Sequence, residues 1–219
     1  MTTAVYDPDC TLCPRLAAFL AEGRRAYPDY FCRPVPPFGD PAARLLIVGL
    51  APGFHGANAS GRPFTGDYAG ILLYETLFEF GLSTAPVSVS ADDGLRLLDC
   101  RISNSVKCVP PGNKPLPTEI ATCNRYLAAE LATVRSGTVL LALGSIAHGA
   151  VLRALGLKLS AYRFAHGSEH ALPGGLHMID SYHCSRYNTN TRRLTTRMFQ
   201  DVVGRAAARA RDARVTGNA

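Results

Sequence analysis

The chain has 219 residues, 47% hydrophobic and 18% charged, a balance that suits one globular domain with a full core. No run of 18 apolar residues occurs to form a transmembrane helix, and the first residues lack the basic-then-apolar pattern of a secretory leader. A formal net charge of +6 favours a polyanionic partner, nucleic acid ahead of a membrane surface, so a cytoplasmic, nucleoid-associated protein is expected.

The chain opens on Cys10-Thr11-Leu12-Cys13, followed by a predicted helix from Pro14 to about Glu22. Residues 27–41 hold five prolines and read as an extended surface loop. Arg44 to Gly49 is a short apolar run ending in glycine, the pattern of a buried parallel strand. Three further runs read the same way: 101–106, 138–144 and 176–182. Helical patterns lie between and after them, at about 68–80, 117–135, 145–155 and 191–213. Pro117-Thr118-Glu119 supplies the start signal of the second of these. Alternating strands and helices predict an α/β fold, a parallel sheet covered on both faces. The chain reads as a single domain, with an N-terminal segment 1–25 and a basic tail 206–219. Arg205, Arg209, Arg211 and Arg214 in and beside that tail are expected to be solvated and the tail mobile.

In open parallel sheets ligands bind outside the carboxyl ends of the strands. Four loops are expected to meet there: Gly49 to Asp67, Asn104 to Pro111, Gly144-Ser145, and His183 to Asn190. They are also the stretches richest in polar residues and glycine between the apolar runs.

Seven cysteines, an odd number without a leader, argue against a disulfide framework. Cys10 and Cys13 form a C-x2-C pair, and Cys108 and Cys123 lie downstream with 14 residues between them. Two such pairs can complete a four-sulfur metal site, and spacing alone does not separate zinc from an iron–sulfur cluster. Cys32, Cys100 and Cys184 remain outside this set.

Three stretches carry a resemblance. One runs from Gly49-Leu50-Ala51-Pro52-Gly53 through His55 to Asn58 and on to Gly61-Arg62-Pro63-Phe64-Thr65-Gly66-Asp67. A second joins Ser103 to Cys108 with Pro110 to Pro117, and a third joins Ser181 to Ser185 with Asn188, Thr189 and Arg193 to Thr195. With the cysteine spacing they cover residues 10–196, and the whole resembles the family 5 (type b) uracil-DNA glycosylases, the iron–sulfur branch of bacteria and archaea. The resemblance implies a three-layer α/β/α sandwich around a four-stranded parallel sheet. It implies a [4Fe–4S] cluster on Cys10, Cys13, Cys108 and Cys123, and because hydrolysis needs no electrons that cluster is expected to be structural rather than redox-active. It also implies excision of uracil, and of other deaminated bases such as hypoxanthine or xanthine, from DNA, by a monomer that touches no membrane. Where the wider superfamily carries His-Pro-Ser, this chain has Cys184 in place of the proline.

On that resemblance, Asp67, Asn104 and His183 are the candidate catalytic residues. A base must be flipped out of the stack to be reached, and Phe64 offers the ring to receive it. Cleaving the glycosidic bond puts negative charge on the leaving base. His183 can donate to it as a neutral imidazole, and the Asn104 amide can read the uracil edge. Ala51 cannot position water, which moves that role to Asp67, itself also a natural helix N-cap. Gly53, Phe54 and His55 complete the expected base pocket, with Gly53 leaving room where uracil-specific relatives carry a tyrosine. Ser145, Ser185, Arg186, Asn188, Arg192 and Lys107 are the expected DNA contacts. Two other readings fit the bare residues: a nucleic-acid-binding protein with a four-cysteine metal site and no glycosylase activity, and an α/β enzyme acting on free nucleosides.

Overall fold

The structure, a computed structural model, describes residues 4–216, with side chains as far as Ala213. Its centre is a six-stranded sheet in the order β1-β3-β2-β4-β6-β5. The strands are β1 (Phe38–Gly39), β2 (Leu45–Gly49), β3 (Cys100–Asn104), β4 (Val139–Leu143), β5 (Glu169–Leu172) and β6 (Leu176–Ser181). The four expected strands, β2, β3, β4 and β6, pair in parallel. The two additional strands are short antiparallel edges. Phe38–Gly39 lies among the prolines of the expected loop, which an edge tolerates because one side of it needs no ladder bonds. β5 is mostly polar and partly exposed, so it gives no apolar run to read.

Every residue of β2 and β4 is buried, because helices cover both faces. Alternation then sorts the side chains into two layers. Leu45, Ile47, Val139, Leu141 and Ile179 join one core with Leu73 and Leu77 of α3 (Tyr68–Glu79) and Phe199 and Val203 of α7 (Thr196–Thr216). Leu46, Val48, Leu140, Ala142 and Met178 join the other with Leu127 of α4 (Pro117–Leu131) and Val151 of α5 (Ser145–Ala154). A third cluster gathers Leu16 and Leu20 of α1 (Pro14–Ala26) with Val106, Cys108, Val109, Cys123 and Tyr126.

Three details differ from expectation. The helix expected over 191–213 starts later, as α7 at Thr196, and a short α6 (Arg186–Asn190) precedes it. The tail expected to be mobile from residue 206 is helical to Thr216, with Ala206, Ala207 and Ala210 in the core. Small residues at helical spacing let this face pack closely, while Arg205 and Arg209 reach Glu169 and Arg211 donates to the Phe80 carbonyl. The Arg214 side chain lies outside the described residues. At the start of α4 the Thr118 hydroxyl is not the cap; the Glu119 carboxylate reaches back to accept from Leu116 N at 2.7 Å. Among the described residues no helix is long and apolar enough to cross a membrane.

Candidate active site

The carboxyl ends of the parallel strands open into a cleft of about 570 Å³, walled by all four expected loops. Gly53, Phe64, Asp67, Asn104, Ser145 and His183 all line it, as do Ser185, Arg186 and Asn188.

The first loop is built by close approach. A Cβ on Gly49 would stand 2.5 Å from Asn104 Oδ1 and 2.7 Å from Phe64 Cζ, so glycine at the end of β2 lets both side chains reach the cleft floor. Phe64 itself has φ +59, rare for a bulky residue, and its ring lies nearly parallel to the His183 imidazole with centroids 5.9 Å apart. Such a backbone persists only where surroundings enforce it. Here the buried Arg62 clamps the loop, bonding Ser88, Asp93 and the Ala91 carbonyl, and the Tyr74 hydroxyl donates to the Pro63 carbonyl.

Asn104 is buried at the end of β3, and its Oδ1 has no hydrogen-bond partner. A buried amide oxygen left open costs stability, so a cleft-facing orphan marks a place for a donor on a ligand. Burial pushes the His183 imidazole down to about 4, which leaves it neutral near pH 7. The Asn188 side chain holds the His183 carbonyl at 2.8 Å, and Ser185 caps α6. Asp67 precedes α3, yet its carboxylate does not cap that helix. It turns into the first loop and accepts from Ala57 N at 3.2 Å and from Gly53 N. Burial outweighs those donors and holds its carboxyl above the usual carboxylate range.

Four expectations are corrected. Phe54 and His55 do not line the cleft: Phe54 packs on Phe19 and Tyr27, and His55 bonds the Tyr30 hydroxyl at 2.9 Å. An aromatic cluster against α1 captures both. Lys107 is only 2% exposed, donating to Ser103 Oγ at 2.6 Å and standing 3.7 Å from Glu130, so it cannot meet a phosphate. The space at Gly53 is also not free for a larger base, because the Asp67 carboxylate occupies it. Arg192 is exposed beyond the cleft wall. The structure adds Tyr68, Tyr182 and Arg193 to that wall, with Arg186 stacked over Tyr68 at 4.8 Å and Arg193 over Tyr182 at 4.6 Å. Tyr182 and Arg193 stand within the third motif and Tyr68 follows Asp67, the signal that could have marked them.

Cys10, Cys13, Cys108 and Cys123 converge on one small hollow. Burial first, and then the neighbouring thiols, push Cys13 up to about 11 and raise Cys108 as well. Four cysteine sulfurs gathered at one hollow are a donor set that suits a thiolate-bound metal centre. A different buried set, His148, His170 and Asp180, lies away from the cleft, with His148 Nδ1 and His170 Nε2 at 2.8 and 3.0 Å from the two Asp180 oxygens.

The family model described as the uracil DNA glycosylase superfamily matches residues 36–206. The chain is 51% identical over 199 residues to a type-5 uracil-DNA glycosylase of Thermus thermophilus, covering 89% of this chain and 90% of that one. It is 44% identical to a type-5 uracil-DNA glycosylase of Pyrobaculum aerophilum, with 91% and 88% covered. A type-5 uracil-DNA glycosylase of Mycobacterium tuberculosis is also 44% identical, with 88% and 75% covered.

Proposed function

The chain belongs to the uracil-DNA glycosylase superfamily, and from that premise we propose how its own residues release a base. It is a monofunctional glycosylase that hydrolyses the N-glycosidic bond of uracil in DNA, a base-excision repair reaction. The observation that carries the mechanism is the meeting, in one cleft, of an orphaned Asn104 amide oxygen, a neutral His183 and the desolvated Asp67 carboxylate.

The flipped uracil stacks on the Phe64 ring, and the strain at Phe64 holds that ring ready. Asn104 Oδ1 accepts from the uracil N3–H, supplying the missing partner. His183 donates a ring N–H to O2 as the glycosidic bond lengthens. A neutral donor in a desolvated site stabilises the leaving anion without first giving up its proton. Asp67 faces the sugar side, where its charge offsets the developing oxocarbenium ion and orients the attacking water. Arg186, Ser145, Ser185 and Asn188 border the cleft and grip the backbone beside the flipped nucleotide, with exposed Arg192 further along the strand. Such work places the protein at the nucleoid.

Cys10, Cys13, Cys108 and Cys123 would hold a [4Fe–4S] cluster. When bound, it supplies a cross-link between the N-terminal segment and the loop that follows Asn104, since hydrolysis transfers no electrons. The cleft volume of about 570 Å³ supports a wider range of deaminated bases, hypoxanthine and xanthine among them.

The test is base release from oligonucleotides, each carrying one lesion, by the parent and by Asp67→Ala, Asn104→Ala and His183→Ala. Each variant is expected to lose on the order of 100-fold or more in kcat. Full activity in all three would overturn the site, and activity on uracil alone would overturn the wider range.

A further inference from the structure

The room at Gly53 and Gly56 has a specific use. A Cβ on Gly53 would overlap Asp67 Oδ1 and stand 3.0 Å from its Cγ. A Cβ on Gly56 would overlap the same carboxylate more deeply, reaching Oδ1 and Cγ together. Neither glycine has a positive φ, so a left-handed backbone is not what demands glycine at either position. Space is. The carboxylate lies between the two glycines and takes its hydrogen bonds from Gly53 N and Ala57 N of the same loop.

We propose that Gly53 and Gly56 are positioning residues, a cradle that sets where the Asp67 carboxylate stands in the cleft. The inference rests on the catalytic reading of Asp67 and deepens it. Two consequences follow from the contacts. Any side chain at 53 pushes the carboxylate out of the loop, away from both N–H donors and toward solvent. Glycine at 53 therefore serves the carboxylate and not the size of the base, so substituting it alters the rate and not the ranking of lesions.

The experiment compares four holoproteins: parent, Gly53→Ala, Asp67→Ala and the double variant. The readouts are single-turnover uracil release across pH, substrate KM, and release from a hypoxanthine oligonucleotide. The cradle predicts that Gly53→Ala loses on the order of 100-fold in rate, the cost of a misplaced group, while KM changes less than about twofold. The acid limb of its rate profile moves to lower pH, because a carboxyl returned to water regains ordinary acidity. The uracil-to-hypoxanthine ratio is unchanged. On the Asp67→Ala background Gly53→Ala costs nothing further, because its target is gone.

A parent-like rate and acid limb in Gly53→Ala would overturn the cradle, as would an equal loss on both backgrounds. Full activity in Asp67→Ala alone would instead overturn the role of Asp67, and the inference with it. If Gly53→Ala unfolds from the clash, recovery of its melting temperature in the double variant supports the contact, and no recovery overturns it.

Discussion

Burial acts on Asp67 and His183 in one sense, favouring the neutral form of each, and the two groups respond in opposite directions on the pH scale. The Asp67 carboxyl rises above its usual range and the His183 imidazole falls to about 4. The working pair is an ionised Asp67 with a neutral His183. Activity is therefore present above the raised Asp67 value and lost as pH falls through it, while His183 adds no limb until about pH 4. The kcat/KM profile on a uracil oligonucleotide is expected to show one acid limb above the ordinary aspartate value of about 3.9. Asp67→Asn removes that limb along with most of the rate. A limb that persists in Asp67→Asn assigns it to another group. At this scale the placement of Phe64, Asn104 and His183 was legible: motif and chemistry selected them, and all three line the cleft. The destination of Asp67 was not, because a carboxylate before a helix reads as its cap, and only the glycines across the loop turn it elsewhere.

Between elements, Glu119 does two jobs at once. Its carboxylate accepts from Leu116 N at the start of α4 and from the Arg15 guanidinium of α1, at 2.8 Å to both Nε and Nη2. Since α1 follows Cys13 and α4 carries Cys123, this residue ties together the two segments that bear the cysteines. Glu119→Ala is expected to cost about 1–2 kcal/mol, mostly the lost cap, because Arg15 is partly exposed and its pairing is screened. Glu119→Gln keeps an acceptor oxygen and should recover part of it. Urea unfolding of the holoprotein checks both, and an unchanged midpoint in Glu119→Ala would refute the cap. The pattern Pro117-Thr118-Glu119 located the helix start correctly; which side chain closed it depended on the path of the backbone before Pro117.

Across the whole molecule, a buried ionic clasp joins α5, β5 and β6 behind the cleft. Both ring nitrogens of His148 face acceptors, Asp180 Oδ1 at 2.8 Å and the Tyr162 carbonyl at 3.0 Å, so the imidazolium form can donate to both. Burial opposes that charge, but the Asp180 carboxylate prevails and holds His148 above the ordinary histidine value. A folded value raised above the unfolded one contributes stability that is complete below about pH 6.5 and lost as pH rises through the raised value. The melting temperature is expected to decline over that window, and to decline less in His148→Asn. A flat profile through pH 9 in the parent would refute the clasp.

Four parallel strands, the helices between them, the cleft at their carboxyl ends and the four-cysteine set were all determined by the sequence alone. Periodicity is a local property and writes each strand and helix in a contiguous stretch, while the cleft follows from the strand-end rule and the four-cysteine set from spacing together with the resemblance. The tertiary structure decided what depends on neighbours distant along the chain. It paired two edge strands too short or too polar to announce themselves, packed an arginine-rich tail through its alanines, and drew Phe54 and His55 into an aromatic cluster. It also buried Lys107 on Glu130 and filled the room at Gly53 with Asp67. Charge and size can be read from a residue, but the partner that uses them is chosen by packing.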